Sequence, residues 1–280
     1  MTEQRSPEQQ ADAWSVPRRL GYLGPAGTFT QQALRSWLAS ASPSDESNAS
    51  GASSVDPPVE EIPFPSVGAA LAALLAGEVD AAMVPIENSV EGGVSATLDS
   101  LAHGEPLVVV AEVRVPVTFV LAAPTGTALA DVRTIGTHSH AWAQVRRFVA
   151  EHLPDVDYVP TLSTAAAAAA LGAGAAPGAA REAQTPSGGF DAAVCAPGAA
   201  ADHGLVVLAN DIGDNTGAVT RFVLVARPGR LPAPTGADKT TVVLFQRLDQ
   251  PGGLLALLEQ LAVRGINMTR LESRPTKESM

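Results

Sequence analysis

Asp214-Asn215-Thr216-Gly217-Ala218-Val219-Thr220-Arg221-Phe222-Val223-Leu224-Val225 runs from turn-forming residues straight into an apolar segment. Asp-Asn and Thr-Gly dipeptides favour turns. The run from Phe222 predicts a buried strand. Thr220 and Arg221 are therefore expected where a loop enters a strand, on the kind of rigid support that carries binding chemistry. A strand start with its Arg in a surface ion pair is the plainer alternative.

Working outward, strand and helix signals alternate, which predicts an α/β fold. Short apolar strands are expected at 20–23, 79–84, 107–115, 117–122, 132–137, 158–160, 190–196 and 206–209, with Pro116 breaking one run from the next. Thr28 or Thr30 suits the cap of a helix to about Ala39, and Ser66 that of an Ala/Leu helix closed by Gly77. A helix is expected from Ser139-His140 to about Glu151, and Ser163 or Thr164 suits the cap of an Ala-rich one. Residues 1–18 read as a disordered tail, 40–58 as a flexible insertion and 172–189 as a mobile loop. Residues 228–238 are rich in Pro and Gly and read as a linker. Beyond it, Thr240–Leu248 and Ile266–Leu271 predict strands around a helix at 253–264.

Composition excludes several functions. The 280 residues hold 18 Lys+Arg against 29 Asp+Glu, a formal net charge of -11. That balance opposes nucleic acid binding, which depends on neutralising phosphates, yet permits a locally positive pocket. Cys195 is the single cysteine, so no intramolecular disulfide forms, as suits a reducing, cytoplasmic setting. Its apolar neighbours mark it as a core residue. The five histidines are scattered, so no metal site is expected. The N-terminus lacks the apolar stretch of a secretory signal, and no run reaches the ~18 apolar residues of a membrane helix. Gly24-Pro25-Ala26-Gly27 is too short for a nucleotide fingerprint, and no cofactor is expected.

Three segments taken in order resemble the prephenate dehydratase family. They are Gly24-Pro25-Ala26-Gly27-Thr28-Phe29-Thr30 (the family's GPxGTFT), Pro85-Ile86-Glu87-Asn88-Ser89 (its PIENS) and Thr220-Arg221-Phe222 (its TRF). The resemblance runs from about Arg19 to Arg227. It implies two α/β lobes like those of periplasmic binding proteins, 19–93 with 205–227 and 94–204, around a cleft. It also implies a lyase that removes water and carbon dioxide from prephenate to give phenylpyruvate, in phenylalanine biosynthesis. A related dehydratase acting on arogenate, or a non-catalytic sensor of the same fold, is the alternative. The stretch before Arg19 is too short for a helical chorismate mutase domain.

By the same resemblance, Thr220 stands nearest the departing hydroxyl and Arg221 grips a carboxylate. Neighbours on a regular strand face opposite ways, so a bend is needed for both to reach one pocket. Asn88 and Ser89 suit donors to substrate oxygens. Glu87 either orients Arg221 or sits at a helix start. Thr28 and Thr30, at a helix start, suit an anion through free N–H groups, with plain capping the alternative; Ser139, Ser163 and Thr164 lie at the middle lobe's loop-to-helix junctions and are expected to bind substrate. Phe222 reads as core or as a ring against substrate. Ser139-His140-Ala141-Trp142 departs from the family's Ser-His-Pro-Gln, with Gln144 two positions on; His140 reads as a general acid or a surface residue.

Gly252-Gly253-Leu254-Leu255 and Glu272-Ser273-Arg274-Pro275 resemble the GALV and ESRP motifs of an ACT domain, implying L-phenylalanine as effector and a homodimer or homotetramer. The full ACT unit is a ferredoxin-like βαββαβ. Residues 239–280 leave room for its first half, so an exposed sheet edge and weakened feedback are expected.

Overall fold

The computed structural model describes residues 17–41, 58–90, 92–172, 189–229, 231–245 and 250–273. Most of the expected tail, insertion and mobile loop lies outside these residues, as do Arg274 and Pro275. The described chain forms two α/β sheets, each with its own pair of cores.

The first sheet has the order β2 (Glu60–Phe64), β1 (Arg19–Leu23), β3 (Ala81–Asn88), β11 (Val219–Ala226), β5 (Val108–Pro116), with β4 (Gly92–Gly93) paired to the end of β3. β2, β1 and β3 are parallel, while β11 runs antiparallel to both its neighbours. The sheet is covered on both faces, which is why β11 reads as a continuous apolar run. Its alternating side chains divide between two cores. Phe222 and Leu224 pack with Leu20, Met83 and α1 (Phe29–Ala41); Val223 and Val225 pack with Val79, Val84 and α2 (Val67–Ala76). Ser66 caps α2 by accepting from the N–H of Ala69 at 3.1 Å, and Gly77 closes it at a φ of 77°. The remaining helix of this lobe, α3 (Ser95–His103), connects β4 to β5.

The second sheet has the order β10 (Val206–Ala209), β6 (Val120–Ala123), β9 (Ala192–Cys195), β7 (Thr134–Thr137), β8 (Asp157–Pro160). α4 (Ser139–Ala143) and α5 (Arg146–His152) cover one face; α6 (Thr164–Gly172) and α7 (Pro197–Asp202) cover the other. Cys195 is buried in the latter core, and burial pushes its thiol up to about 12. The Ala tract suits α6 because short side chains let the helix lie close to the strands: Ala165, Ala167 and Ala168 are fully buried.

The two crossings between lobes run side by side. Val117 N–H donates to the carbonyl of Ala218 at 2.8 Å, and Ile212 N–H to that of Phe119 at 3.0 Å.

Several expectations are corrected. The lobe boundaries fall elsewhere: β5 belongs to the first sheet because it pairs along β11, and β10 belongs to the second because it pairs with β6. The inserted lobe therefore spans about 117–218, not 94–204. β2 and α3 carried no clear signal; β2 contains Pro63, tolerated because the strand lies at a sheet edge. The helix after Ser139 breaks at Gln144–Val145 into α4 and α5. Beyond the linker, α8 (Gly253–Ala262) is the one helix or strand among the described residues. Residues 240–245 and 266–271 run as irregular chain with their apolar side chains exposed. A strand needs a neighbour for its backbone donors and acceptors, and no described strand lies beside them.

Candidate active site

A cavity of about 260 Å³ opens where the lobes meet the crossings. Phe29, Asn88 and Thr220 line it from the first lobe. Val117 and Phe119 line it from a crossing, and His138, His140, Ala141, Gln144, Leu162, Ser163 and Thr164 from the second lobe.

Thr220 is buried at the cavity floor, near the start of β11, with Asn88 beside it at the end of β3; the two face each other in register. Asn88 Nδ2 donates to Thr220 Oγ1 at 2.9 Å, while its Oδ1 accepts from the N–H of Val90 at 2.8 Å. The second bond fixes which way the amide points. A hydroxyl that accepts from an NH₂ group has its own proton left to direct elsewhere. Thr220 is thus set up to donate into the cavity.

Three helix starts border the same space: Phe29 opens α1, Ala141 and His140 belong to the first turn of α4, and Thr164 opens α6. Ser163 Oγ accepts from the N–H of Ala166 at 3.0 Å and so caps α6. Free N–H groups and the helix dipole make such ends favourable to anions. His138 Nδ1 accepts from the N–H of His140 at 3.3 Å, with the two rings edge-on at 4.9 Å. An imidazole accepting at Nδ1 carries its proton on Nε2 when neutral. Phe29 meets Phe119 edge-on at 6.0 Å and packs against three of the four cores.

Arg221 is placed otherwise than expected. Strand alternation turns it away from the cavity that Thr220 faces. Its Nη1 pairs with Glu87 at 2.5 Å and its Nη2 with Glu112 at 2.7 Å. The hydrogen bond to Glu112 leads the causes that raise its pKa. With Nη1 and Nη2 each paired to a carboxylate, Arg221 does not line the cavity, and Glu87 is one of its two partners.

Four further candidates also lie off the cavity wall. Phe222 is in the first-lobe core, two residues on from Thr220 and packed against α1. Ser89 staples the strand ends instead: its N–H donates to the carbonyl of Val219, and its Oγ accepts from Val219 N–H, both at 2.9 Å. Thr28 caps α1; its Oγ1 donates to the carbonyl of Leu23 at 3.1 Å. Ser139 is exposed at the start of α4. Of the expected substrate residues, Asn88, Ser163 and Thr164 join Thr220 at the cavity.

Sequence reasoning missed Phe29, Val117, Phe119, His138 and Leu162 as cavity residues. Apolar wall residues look like core in a sequence, and only His138, next to the Ser139-His140 pair, carried a signal. Gln144 reaches the wall, while Trp142 stacks on Tyr158 at 4.8 Å. Among the effector candidates, Gly252 takes a φ of 81° just before α8, which Gly253 opens, and Leu254 and Leu255 are exposed. Glu272 pairs with Arg270 at 2.6 Å, and Ser273 is exposed. Among the described residues no group of three or more His, Cys, Asp or Glu is placed to hold a metal, and no helix is long and apolar enough to cross a membrane.

The prephenate dehydratase family model matches residues 20–230. The prephenate dehydratases of Mycolicibacterium vanbaalenii and Amycolatopsis methanolica are 47% and 45% identical, over 93% of this chain and 78% and 75% of theirs. The crystal structure of the Arthrobacter aurescens prephenate dehydratase in complex with L-Phe is 50% identical, with a TM-score of 0.75 over 93% of this chain and 76% of that one. With the family match running through both lobes and the cleft between them, the chain belongs to the prephenate dehydratase family.

Proposed function

We propose that this chain converts prephenate to phenylpyruvate, water and carbon dioxide in the cleft between its lobes, as a step of phenylalanine biosynthesis. The observation that carries the proposal is the Thr220 hydroxyl at the wall of a cavity bordered by helix starts, accepting from Asn88 and so left with its own proton to donate.

The chemistry follows from those groups. The ring carboxylate leaves as carbon dioxide, and its electron pair enters the ring. The ring hydroxyl departs with the electrons of its C–O bond and takes up one proton from solvent to become water, and the ring becomes aromatic. Thr220 donates a hydrogen bond that strengthens as negative charge grows on the departing oxygen. A threonine hydroxyl is too weak an acid to be the source of the proton itself. The N–H groups at the starts of α6 and α1 suit the substrate's carboxylates, a role that Arg221, engaged elsewhere, does not fill. Phe29, Val117, Phe119 and Leu162 give the cavity an apolar part, and apolar surroundings raise the energy of a carboxylate that is to be lost.

The GALV-like and ESRP-like segments support reading 239–280 as part of an ACT-type unit that binds L-phenylalanine. The phenylalanine complex of the Arthrobacter aurescens relative supports the same effector. The exposed apolar residues Val242, Leu244 and Phe245 support an assembly of two or four copies. The single, buried cysteine supports a cytoplasmic setting.

The test is phenylpyruvate formation from prephenate by the purified chain, with Thr220→Ala and Thr220→Ser alongside. We expect turnover by the parent, a loss of about 10²–10³ in kcat for Thr220→Ala, and a much smaller loss for Thr220→Ser. A parent that binds prephenate without turning it over would establish a sensor; faster turnover of arogenate would change the substrate.

A further inference from the structure

The C-terminal segment reaches back to the strands that carry the catalytic hydroxyl. Arg270 Nη1 lies 2.6 Å from Glu87 Oε2, the same oxygen that Arg221 Nη1 approaches at 2.5 Å. Arg221 continues to Glu112, and Arg270 Nη2 continues to Glu272 at 2.6 Å. Five charged side chains therefore span β5, β11, β3 and the segment after α8.

The position of this chain of charges is what gives it meaning. Glu87 faces Arg221 across β3 and β11, one step along from Asn88 facing Thr220. The register shifts between Arg221 and Phe222, so the Arg221–Glu87 and Thr220–Asn88 pairs at the strand ends are set off from the regular ladder that runs from Phe222 to Ala226. β4 is only two residues long and pairs with Glu87 and Asn88 through Gly93 and Gly92. A Cβ on Gly93 would lie 2.8 Å from Arg270 Nη2, from Glu272 Oε2 and from Leu98 Cδ1. The Gly93 backbone thus leaves the space in which the Arg270–Glu272 pair sits, a close approach independent of the ion pairs themselves.

We propose that Arg270 is a positioning residue for Thr220: by holding Glu87 it fixes the β3–β11 pairing beside the Asn88–Thr220 hydrogen bond, so that the C-terminal segment sets the aim of the catalytic hydroxyl. The proposal rests on reading the cleft as the dehydratase site. Without Arg270, the Glu87 carboxylate is held by Arg221 alone, and the strand ends rely on the Ser89–Val219 bonds at the point where strands open most readily. The hydroxyl then loses its fixed direction. The helix starts that suit the substrate carboxylates belong to other residues, so the loss falls on kcat and not on KM.

The experiment is a double-mutant cycle on the full chain, Arg270→Ala and Glu87→Gln singly and together, read by steady-state kinetics and by amide hydrogen exchange at Ser89 and Val219. We expect Arg270→Ala to lower kcat by about two- to thirtyfold, the range for residues that couple sites without touching ligand. KM should hold, and both amides should exchange faster. Arg270→Lys should restore only part, because an ammonium lacks the fork that spans Glu87 and Glu272. In the Glu87→Gln background, Arg270→Ala should do nothing more. Unchanged kcat and exchange in Arg270→Ala, or the same loss in both backgrounds, overturns the proposal. If the parent fails to turn over prephenate, the functional reading falls, and the exchange comparison alone decides whether Arg270 holds the strand ends.

Discussion

At the scale of single residues, the chemistry depends on where one proton points. Thr220 accepts from Asn88 Nδ2 and is therefore left to donate. Asn88→Asp reverses this, because an ionised carboxylate only accepts. The Thr220 proton would turn toward Asp and away from the departing oxygen. We expect Asn88→Asp to lose about a hundredfold in kcat, the cost of a misdirected catalytic group, and Asn88→Ala to lose less, since it removes the guide without capturing the proton. Steady-state kcat for the two variants tests this; equal losses would mean that Asn88 does not orient Thr220. Thr220 was singled out through the resemblance of Thr220-Arg221-Phe222 to the family's TRF; a hydroxyl between a Gly-containing turn and an apolar run reads, by itself, equally as a plain strand start. The placement of Arg221 was legible only as a conflict: adjacent strand residues face opposite ways, and no bend at the strand entry resolves it in favour of the cavity. Phe29 and Phe119 were invisible as cavity residues because an apolar wall and an apolar core have the same composition.

At the scale of elements, local signals located α2, β1 and α7 well because their boundaries are chemical: Ser66 and Gly77 for α2, Pro197 at the start of α7. Elements defined by distant partners were harder. β2 exists because β1 pairs with it, and the strands expected after the linker have no described partner. Gly27 shows how an element junction serves the cleft. Its φ is 81°, and a Cβ there would lie 3.2 Å from the Cβ of Ala199 on the opposite lobe. Gly77 has a similar φ of 77° with nothing within 4 Å. Alanine at either site adds the left-handed strain of about 1–2 kcal/mol, but only at Gly27 does it wedge the lobes apart. Gly27→Ala and Gly77→Ala should therefore lose similar stability in denaturant unfolding, while only Gly27→Ala raises KM for prephenate. A raised KM in both would trace the effect to global destabilisation.

At the scale of the whole molecule, the alternation of signals showed an α/β fold and the family resemblance implied two lobes, but the point where the chain leaves the first was misplaced, because β5 and β10 declare their sheets only through pairing. The same pairing gives stability a pH dependence with a definite sign. Burial by itself raises the Glu112 carboxyl, but Arg221, Lys239 and Arg114 outweigh it and hold it below the usual range. Asp80 is held low in the same way, with burial opposed by the side chain of Arg19 and the N–H groups of Arg18 and Arg19. A carboxyl whose folded pKa is depressed contributes stability that is present above its unfolded pKa and lost as pH falls through the folded value. The loss therefore begins near pH 4–4.5, the ordinary range for these groups, at about that value and below. A net charge of -11 acts with the opposite sign, since protonation relieves general repulsion. The two effects separate in the difference between parent and Glu112→Gln, because both chains share the general repulsion almost entirely. At neutral pH we expect Glu112→Gln to be slightly less stable, as befits a partly exposed pair. As the pH is lowered through the carboxylate range, the parent should lose stability faster than the variant, so that the gap closes. Denaturant unfolding across that range measures the gap directly. A gap that stays constant would mean that the Glu112–Arg221 pair, although formed, contributes nothing that depends on the charge of Glu112.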